Sequence, residues 1–223
     1  VKNCNYFTVT SKNDLDRFVS MYPRYKEKFL LRPNWVEVNE LTEFTKRYNN
    51  RVLAVGRLVG QKNFSYLISE FENVKKDLVL DLVGTGPDVE KLTDQAKKQN
   101  VAINLVGSLS NEELLKLYQK YKYFISTSLF EGNPKSLLEA MGSGCIVIGS
   151  NINNHSEIIS DNKNGYLFEI KSSYLQRKFE LVFENYSNLP QISKNAYMFI
   201  KNEYSLNSSA ETFYQDFYKT LSK

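Results

Sequence analysis

The sequence predicts an α/β fold, a parallel sheet with helices on both faces, and three observations lead there. From Arg51 onward, short apolar runs alternate with helical stretches of about ten to fifteen residues. The runs are apolar almost throughout, as strands covered on both faces require. Between Glu131 and Ser150 the chain passes from strand end through a turn and a short helix to the next strand. Right-handed crossovers then bring the C-terminal end of every strand to one edge, where a ligand is expected.

In chain order, Tyr6 to Thr10 reads as a short strand, and Ser11 caps a helix running to about Tyr22. Phe29 to Leu31 is a second strand. Pro33-Asn34 breaks the chain, and the polar segment Glu37 to Asn50 reads as a linker. Strands follow at Val52–Val55, Leu78–Val83, Ile103–Val106, Tyr123–Thr127 and Tyr166–Phe168. The helices between them are expected at Phe64–Val74, Asp88–Gln99 and Asn111–Tyr121. The tail from Tyr174 to Lys223 is helical, with a break at Pro190. Its last segment sets Phe213, Phe217 and Leu221 four apart on one face. Packing of that face on its own domain is the expectation, with a helix lying on a membrane surface as the alternative.

The stretch Glu131–Ser150 carries the first chemistry. Gly132 allows a tight turn, Asn133 is a good N-cap, and Pro134 suits the first helical position because its missing N–H would be unpaired there. Leu137, Leu138 and Met141 fall on one side. Gly142 and Gly144 end the helix where positive φ is expected, and Cys145 to Ile148 resumes a strand. A helix opening just past a strand offers free N–H groups and a positive dipole end, so Gly132, Asn133, Pro134, Lys135, Ser136 and Leu137 form a candidate phosphate cradle. Glu139 lies about 7.5 Å further along the axis. At that depth it suits a ribose diol, and a solvated helix glutamate is the alternative.

On the same edge, Gly56-Arg57-Leu-Val-Gly60-Gln-Lys62 follows a strand. A guanidinium fork and an ammonium five residues apart suit the clamping of a diphosphate and of the charge that grows on it as it leaves. Gly84-Thr85-Gly86-Pro87 is a weaker signal of the same kind.

The composition is that of an ordinary globular chain of 223 residues, with 42% hydrophobic and 24% charged content. A net charge of +4 fits a phosphate-bearing ligand or an acidic membrane surface and is too mild to argue for nucleic acid. No apolar run approaches the roughly 18 residues of a membrane span. No signal peptide is visible, and a start at Val1 fits a piece of a longer protein. Cys4 and Cys145 lack metal-ligand spacing and fit a reducing compartment. No Asp-x-Asp pair or Ser-His-Asp grouping stands out.

Glu131, seven intervening residues, Glu139, Ala140-Met141 and Gly144 together resemble the paired-glutamate signature of retaining glycosyltransferases of family 4, in the C-terminal half of the GT-B fold. Gly56-Arg57-x(4)-Lys62 resembles the family's Gly-Arg-x(4)-Lys element. Glu157 with Asn164-Gly165-Tyr166-Leu167 resembles its closing segment, so the likeness runs from about Arg51 to Phe168. It implies a Rossmann-like domain over residues 41–223, with 1–40 the end of an N-terminal domain and the interdomain link.

The resemblance implies transfer of a sugar from a nucleoside diphosphate sugar to an acceptor hydroxyl, metal-independent and without a cofactor. Arg57, Lys62 and Glu131 would be catalytic. Gly56, Gly86, Leu109 and the residues of the cradle with Glu139 would hold the nucleotide, with Leu109 at the base and Glu131 at the sugar. Retention would follow from attack on the face that the leaving group quits, without a covalent intermediate. The acceptor would be a sugar or lipid-linked molecule bound through a missing N-terminal domain or partner chain. Surface polysaccharide or glycolipid synthesis is the implied setting, in the cytoplasm with peripheral contact at the inner face of the membrane. His155, the only histidine, is expected on a loop without a catalytic role.

The chain departs from the family at Trp35, where glycine is common, at Gly60, where proline is frequent, and at Asn133, where an aromatic is common; the last bears on sugar preference. The alternatives are a non-catalytic subunit that binds a sugar nucleotide and a sugar-nucleotide epimerase. The Glu-x(7)-Glu and Arg-Lys combination argues against the epimerase.

Overall fold

A computed structural model describes residues 1–74 and 77–221, the side chains of 219–221 excepted. Strands β1 (Phe7–Val9) and β2 (Phe29–Leu31) pair in parallel around helix α1 (Lys12–Met21) as a small unit with its own two-stranded sheet. Ser11 caps α1 as expected, its Oγ accepting the Asp14 N–H at 3.1 Å. The Glu157 carboxylate, distant in sequence, accepts the Lys12 and Asn13 N–H groups at 3.1 and 2.8 Å.

The main sheet is the predicted parallel one. It contains β3 (Tyr48–Val55), β4 (Val79–Val83), β5 (Ile103–Gly107), β6 (Tyr121–Ser126), β7 (Ile146–Ser150) and β8 (Tyr166–Phe168), in the order β5-β4-β3-β6-β7-β8. Succession along the chain reverses direction between β3 and β6, the kind of switch point at which open α/β sheets form a crevice beyond the C-terminal ends of their strands.

Side-chain alternation divides the core into two layers. Val52, Ala54, Leu80, Leu82 and Ile146 face α2 (Phe64–Phe71), α3 (Val89–Lys98) and α7 (Tyr174–Glu184). Leu53, Phe124 and Val147 face α4 (Asn111–Tyr118), α5 (Lys135–Gly142) and α8 (Leu189–Glu203).

Several expectations are corrected. The segment Glu37 to Asn50 is not all linker, because β3 begins at Tyr48; its first residues, Tyr48 to Asn50, are exposed, so they lack an apolar pattern. Just before it, Arg47 is buried, donating to Ser143 O at 2.8 Å and Thr42 O at 3.0 Å. The helix from Asn111 stops at Tyr118, and Tyr121 belongs to β6. Pro190 opens α8 in its first turn, where a proline costs no hydrogen bond. Gly142 is helical and packs against Ile200, and of the two stop glycines only Gly144 takes positive φ, at 75°.

The last helix, α9 (Leu206–Leu221), leaves Phe213 60% and Phe217 50% exposed, their rings stacked at 6.4 Å on each other. The expected packing of this face on its own domain does not occur at these two residues, and the Leu221 side chain lies outside those described. An Arg32–Asp216 ion pair ties α9 to the segment after β2. No helix among the described residues is long and apolar enough to cross a membrane.

Candidate functional site

The loops leaving β3 and β4 are fused by backbone contact. Gly56 N–H donates to Val83 O and Leu58 N–H to Thr85 O, each at 2.9 Å. A Cβ on Gly84, whose φ is 139°, would lie 2.0 Å from Gly56 O, and one on Gly86 would lie 2.2 Å from Leu58 O. The glycine turn is therefore the support beneath the Arg57 loop, with Gly86 packed backbone to backbone.

Gly56 has a second use. A Cβ there would come within 3.0–3.3 Å of the Cε, Cδ and Cγ atoms of Lys62, whose stem lies along the glycine. So guided, Lys62 Nζ reaches Glu131 Oε1 at 2.5 Å, and Ser128 Oγ donates to the same oxygen at 2.6 Å. Glu131 Oε2 has no partner among the described residues. Arg57 is exposed on the same loop, and none of the described residues accepts from its guanidinium. The loops after β3 and β6 are joined further by Thr127 Oγ1 donating to Lys62 O at 2.8 Å and Leu129 N–H to Gln61 O at 2.9 Å.

The start of α5 differs from expectation. Asn133 is not its N-cap: Pro134 takes that position, and the helix begins at Lys135. The Asn133 side chain turns to the N-terminal unit instead, where Nδ2 donates to Thr10 O at 3.1 Å and the buried Oδ1 finds no partner among the described residues. Asn154 Nδ2 holds the turn by donating to Gly132 O at 2.6 Å. Lys135 and Leu137 spend their N–H groups on Asn133 O and Pro134 O, both at 2.9 Å, and the Leu137 side chain is in the core. The N–H groups of Gly132, Asn133 and Ser136 have no acceptor among the described residues. Three of the expected donors are therefore open among the described residues, at a helix terminus, an end that favours anions.

Glu139 is only 4% exposed, which removes the solvated alternative. Tyr118 Oη donates to it at 3.3 Å and Lys135 Nζ lies 3.4 Å away, while burial raises its pKa above the usual carboxylate value. It forms one wall of a cleft of about 400 Å³ shared with Trp35, Glu37, Asn111 and Lys135. Leu109 lies half-buried against the core two residues before α4.

His155 is in a short helix, α6 (Asn153–Ser156), and not on a loop; it is fully buried. Its Nδ1 lies 2.8 Å from Ser150 O and its Nε2 lies 3.4 Å from Ser126 Oγ. Burial lowers its pKa. Sequence reasoning missed Ser128, Tyr118 and Asn154. Of these, Ser128 had a readable signal: a hydroxyl directly after an apolar strand on the ligand edge.

A model of the family described as glycosyl transferases group 1 matches residues 41–199. Among curated proteins, the GtfA subunit of a UDP-N-acetylglucosamine–peptide N-acetylglucosaminyltransferase from Limosilactobacillus reuteri is 30% identical over 142 residues, 60% of this chain and 28% of that protein. The amylovoran biosynthesis glycosyltransferase AmsD of Erwinia amylovora is 31% identical over 140 residues, 62% of this chain and 39% of its own. A crystal structure of an S. aureus TarM mutant in complex with Fondaparinux, alpha-GlcNAc-glycerol and UDP superposes with a TM-score of 0.85 at 23% identity. That match covers 96% of this chain and 44% of the other, a likeness of fold. The chain spans less than half the length of each of these three proteins.

Proposed function

We propose, from the premise that this chain belongs to the glycosyl transferases group 1 family, that it is the donor-binding part of a retaining glycosyltransferase of the family 4 type. The whole enzyme moves a sugar from a nucleoside diphosphate sugar to an acceptor hydroxyl. The observation that carries this reading is the Lys62–Glu131 pair standing between two loops of the sheet's crevice, beside the unpaired N–H groups that open α5.

In this mechanism the diphosphate lies against the Gly132, Asn133 and Ser136 N–H groups, with Arg57 and Lys62 neutralising the charge that develops as it leaves. The exposed Arg57, which has no acceptor among the described residues, supplies the bidentate fork. Glu139 accepts from the ribose diol, in competition with Lys135. Glu131, fixed by Lys62 and Ser128, orients the sugar and balances positive charge at the anomeric carbon. These groups neutralise the leaving diphosphate without a metal ion. The new bond forms on the face that the diphosphate leaves, and the acceptor is a sugar or lipid-linked hydroxyl held by a further domain or partner chain. The relative named for amylovoran biosynthesis supports a setting in surface polysaccharide synthesis.

Calorimetric titration of the chain with UDP, GDP and ADP tests this. Selective binding of one, lost in Glu139→Ala, is the expected result. Absence of binding by all three contradicts the donor-site assignment.

A further inference from the structure

We infer that Trp35 is the platform on which the nucleobase stacks, an inference that rests on the donor-binding reading above. The cleft next to Glu139 has two sides. Asn111, Lys135 and Glu139 come from α4 and α5, and the segment from Asn34 to Glu37 comes from the stretch after β2. Trp35 is 47% exposed there, and none of the described residues accepts from its indole N–H. Other large apolar side chains are as exposed, but Trp35 is the aromatic ring that borders the cleft of Glu139, where an aromatic face can meet a ligand.

The connectivity of the ligand supplies the answer. With the diphosphate on the open N–H groups at the start of α5 and the ribose on Glu139, the base has to continue from the ribose, and the cleft with Trp35 on its border is the space next to Glu139. The residue is also held in place. Its neighbour Val36 is 1% exposed, donates its N–H to Tyr204 O at 2.9 Å and bridges to Ser205, so the backbone under the indole is anchored to the end of α8. A platform held before the ligand arrives loses little freedom on binding.

Stacking is tolerant of the base, because every base has a π-face. Trp35 therefore supplies affinity common to all nucleotides, and discrimination among bases falls to hydrogen-bonding groups elsewhere.

Trp35 is the chain's only tryptophan, so emission excited at the red edge, where the 15 tyrosines absorb little, reports on this residue alone. The experiment titrates the chain with UDP, GDP, ADP and inorganic pyrophosphate, following heat and tryptophan emission in parallel. For the nucleotide that binds, the emission should change with the calorimetric midpoint, and pyrophosphate should leave it unchanged. Trp35→Ala should weaken that nucleotide about tenfold, with Trp35→Phe retaining most of the affinity. Calorimetric binding with unaltered emission and an unchanged dissociation constant in Trp35→Ala overturns the platform while leaving the donor-binding reading standing. Lack of binding by every nucleotide overturns both.

Discussion

Two charged clusters stand at opposite ends of the same strands, and they are built to different ends. Near the N-terminal ends, Asp81 is fully buried and its two oxygens accept four hydrogen bonds. Arg51 supplies two of them, through Nε at 2.7 Å and through an Nη, and Asn104 Nδ2 and Tyr121 Oη each supply one at 2.8 Å. Hydrogen bonding to Asp81 raises the Arg51 pKa, and burial raises that of Tyr121. Beyond the C-terminal ends, Lys62 and Glu131 keep 19% and 8% of their side chains exposed, and one Glu131 oxygen is uncommitted among the described residues. Exposure does not separate the two, since the Arg51 side chain is 31% exposed; the first cluster is closed because each Asp81 oxygen already accepts two hydrogen bonds. The second is left open, and a group with spare hydrogen-bonding capacity beside an anion cradle is one that a ligand can use.

The contrast breaks most sharply at Asp81. Asp81→Ala leaves the Tyr121 hydroxyl and the Asn104 amide without their acceptor, while the partly exposed Arg51 can turn to water, and the expected cost is about 1–3 kcal/mol in urea unfolding. A loss below about 1 kcal/mol, the range of exposed pairs, would mean that the cluster is not closed. Lys62→Ala should do the reverse. In an enzyme carrying the acceptor half, turnover is expected to fall roughly 100- to 1000-fold, the scale of losing one donor to a developing anion, with unfolding affected far less than by Asp81→Ala. Arg57→Ala should follow the same pattern, and an equal loss in donor affinity and turnover would reduce either residue to simple binding.

Glu139 lies between the two extremes, buried like Asp81 yet bordering a cleft. Glu139→Ala should weaken nucleotide diphosphate binding by about 1.5–3 kcal/mol, read by calorimetry; an unchanged dissociation constant takes it out of the site. The smallest effect concerns His155. Its folded-state pKa is lowered below 6.5, so the unfolded chain takes up the proton first, and stability falls as pH drops from about 6.5 toward the folded value. His155→Gln should flatten that part of the stability–pH curve, and an identical slope would show that other groups set it.

The contrast also explains what could be read in advance. Strands β4, β6 and β7 were legible because both their faces are buried, so most of their residues are apolar. The opening of β3 was not, because Tyr48 to Asn50 pair in the sheet while facing water. Arg57 and Lys62 stood out as a pair on one outgoing loop and Glu139 by its depth past a helix start, while Glu131 was singled out by the family resemblance. Asn133 misled for a physical reason. Its capping chemistry is real, but Thr10 from the N-terminal unit outcompetes the helix for its side chain. The exposed face of α9 was unreadable, since Phe213 and Phe217 at helical spacing describe an apolar stripe without saying what it meets.

Lys62 and Glu131 are 69 residues apart, and β4 and β5 lie between them in the chain. The crevice strands β3 and β6 are thus joined by a detour through one half of the sheet. Long-range pairings of this kind form slowly in folding, because the intervening chain must be ordered or closed into a loop first. During synthesis, a growing chain has no site until residues through Glu139 have emerged and β6 has docked beside β3. On the proposed donor-binding reading, nucleotide binding in a refolding experiment would rise with the pairing of β3 and β6, after the first helices, and serve as a clock for that single event.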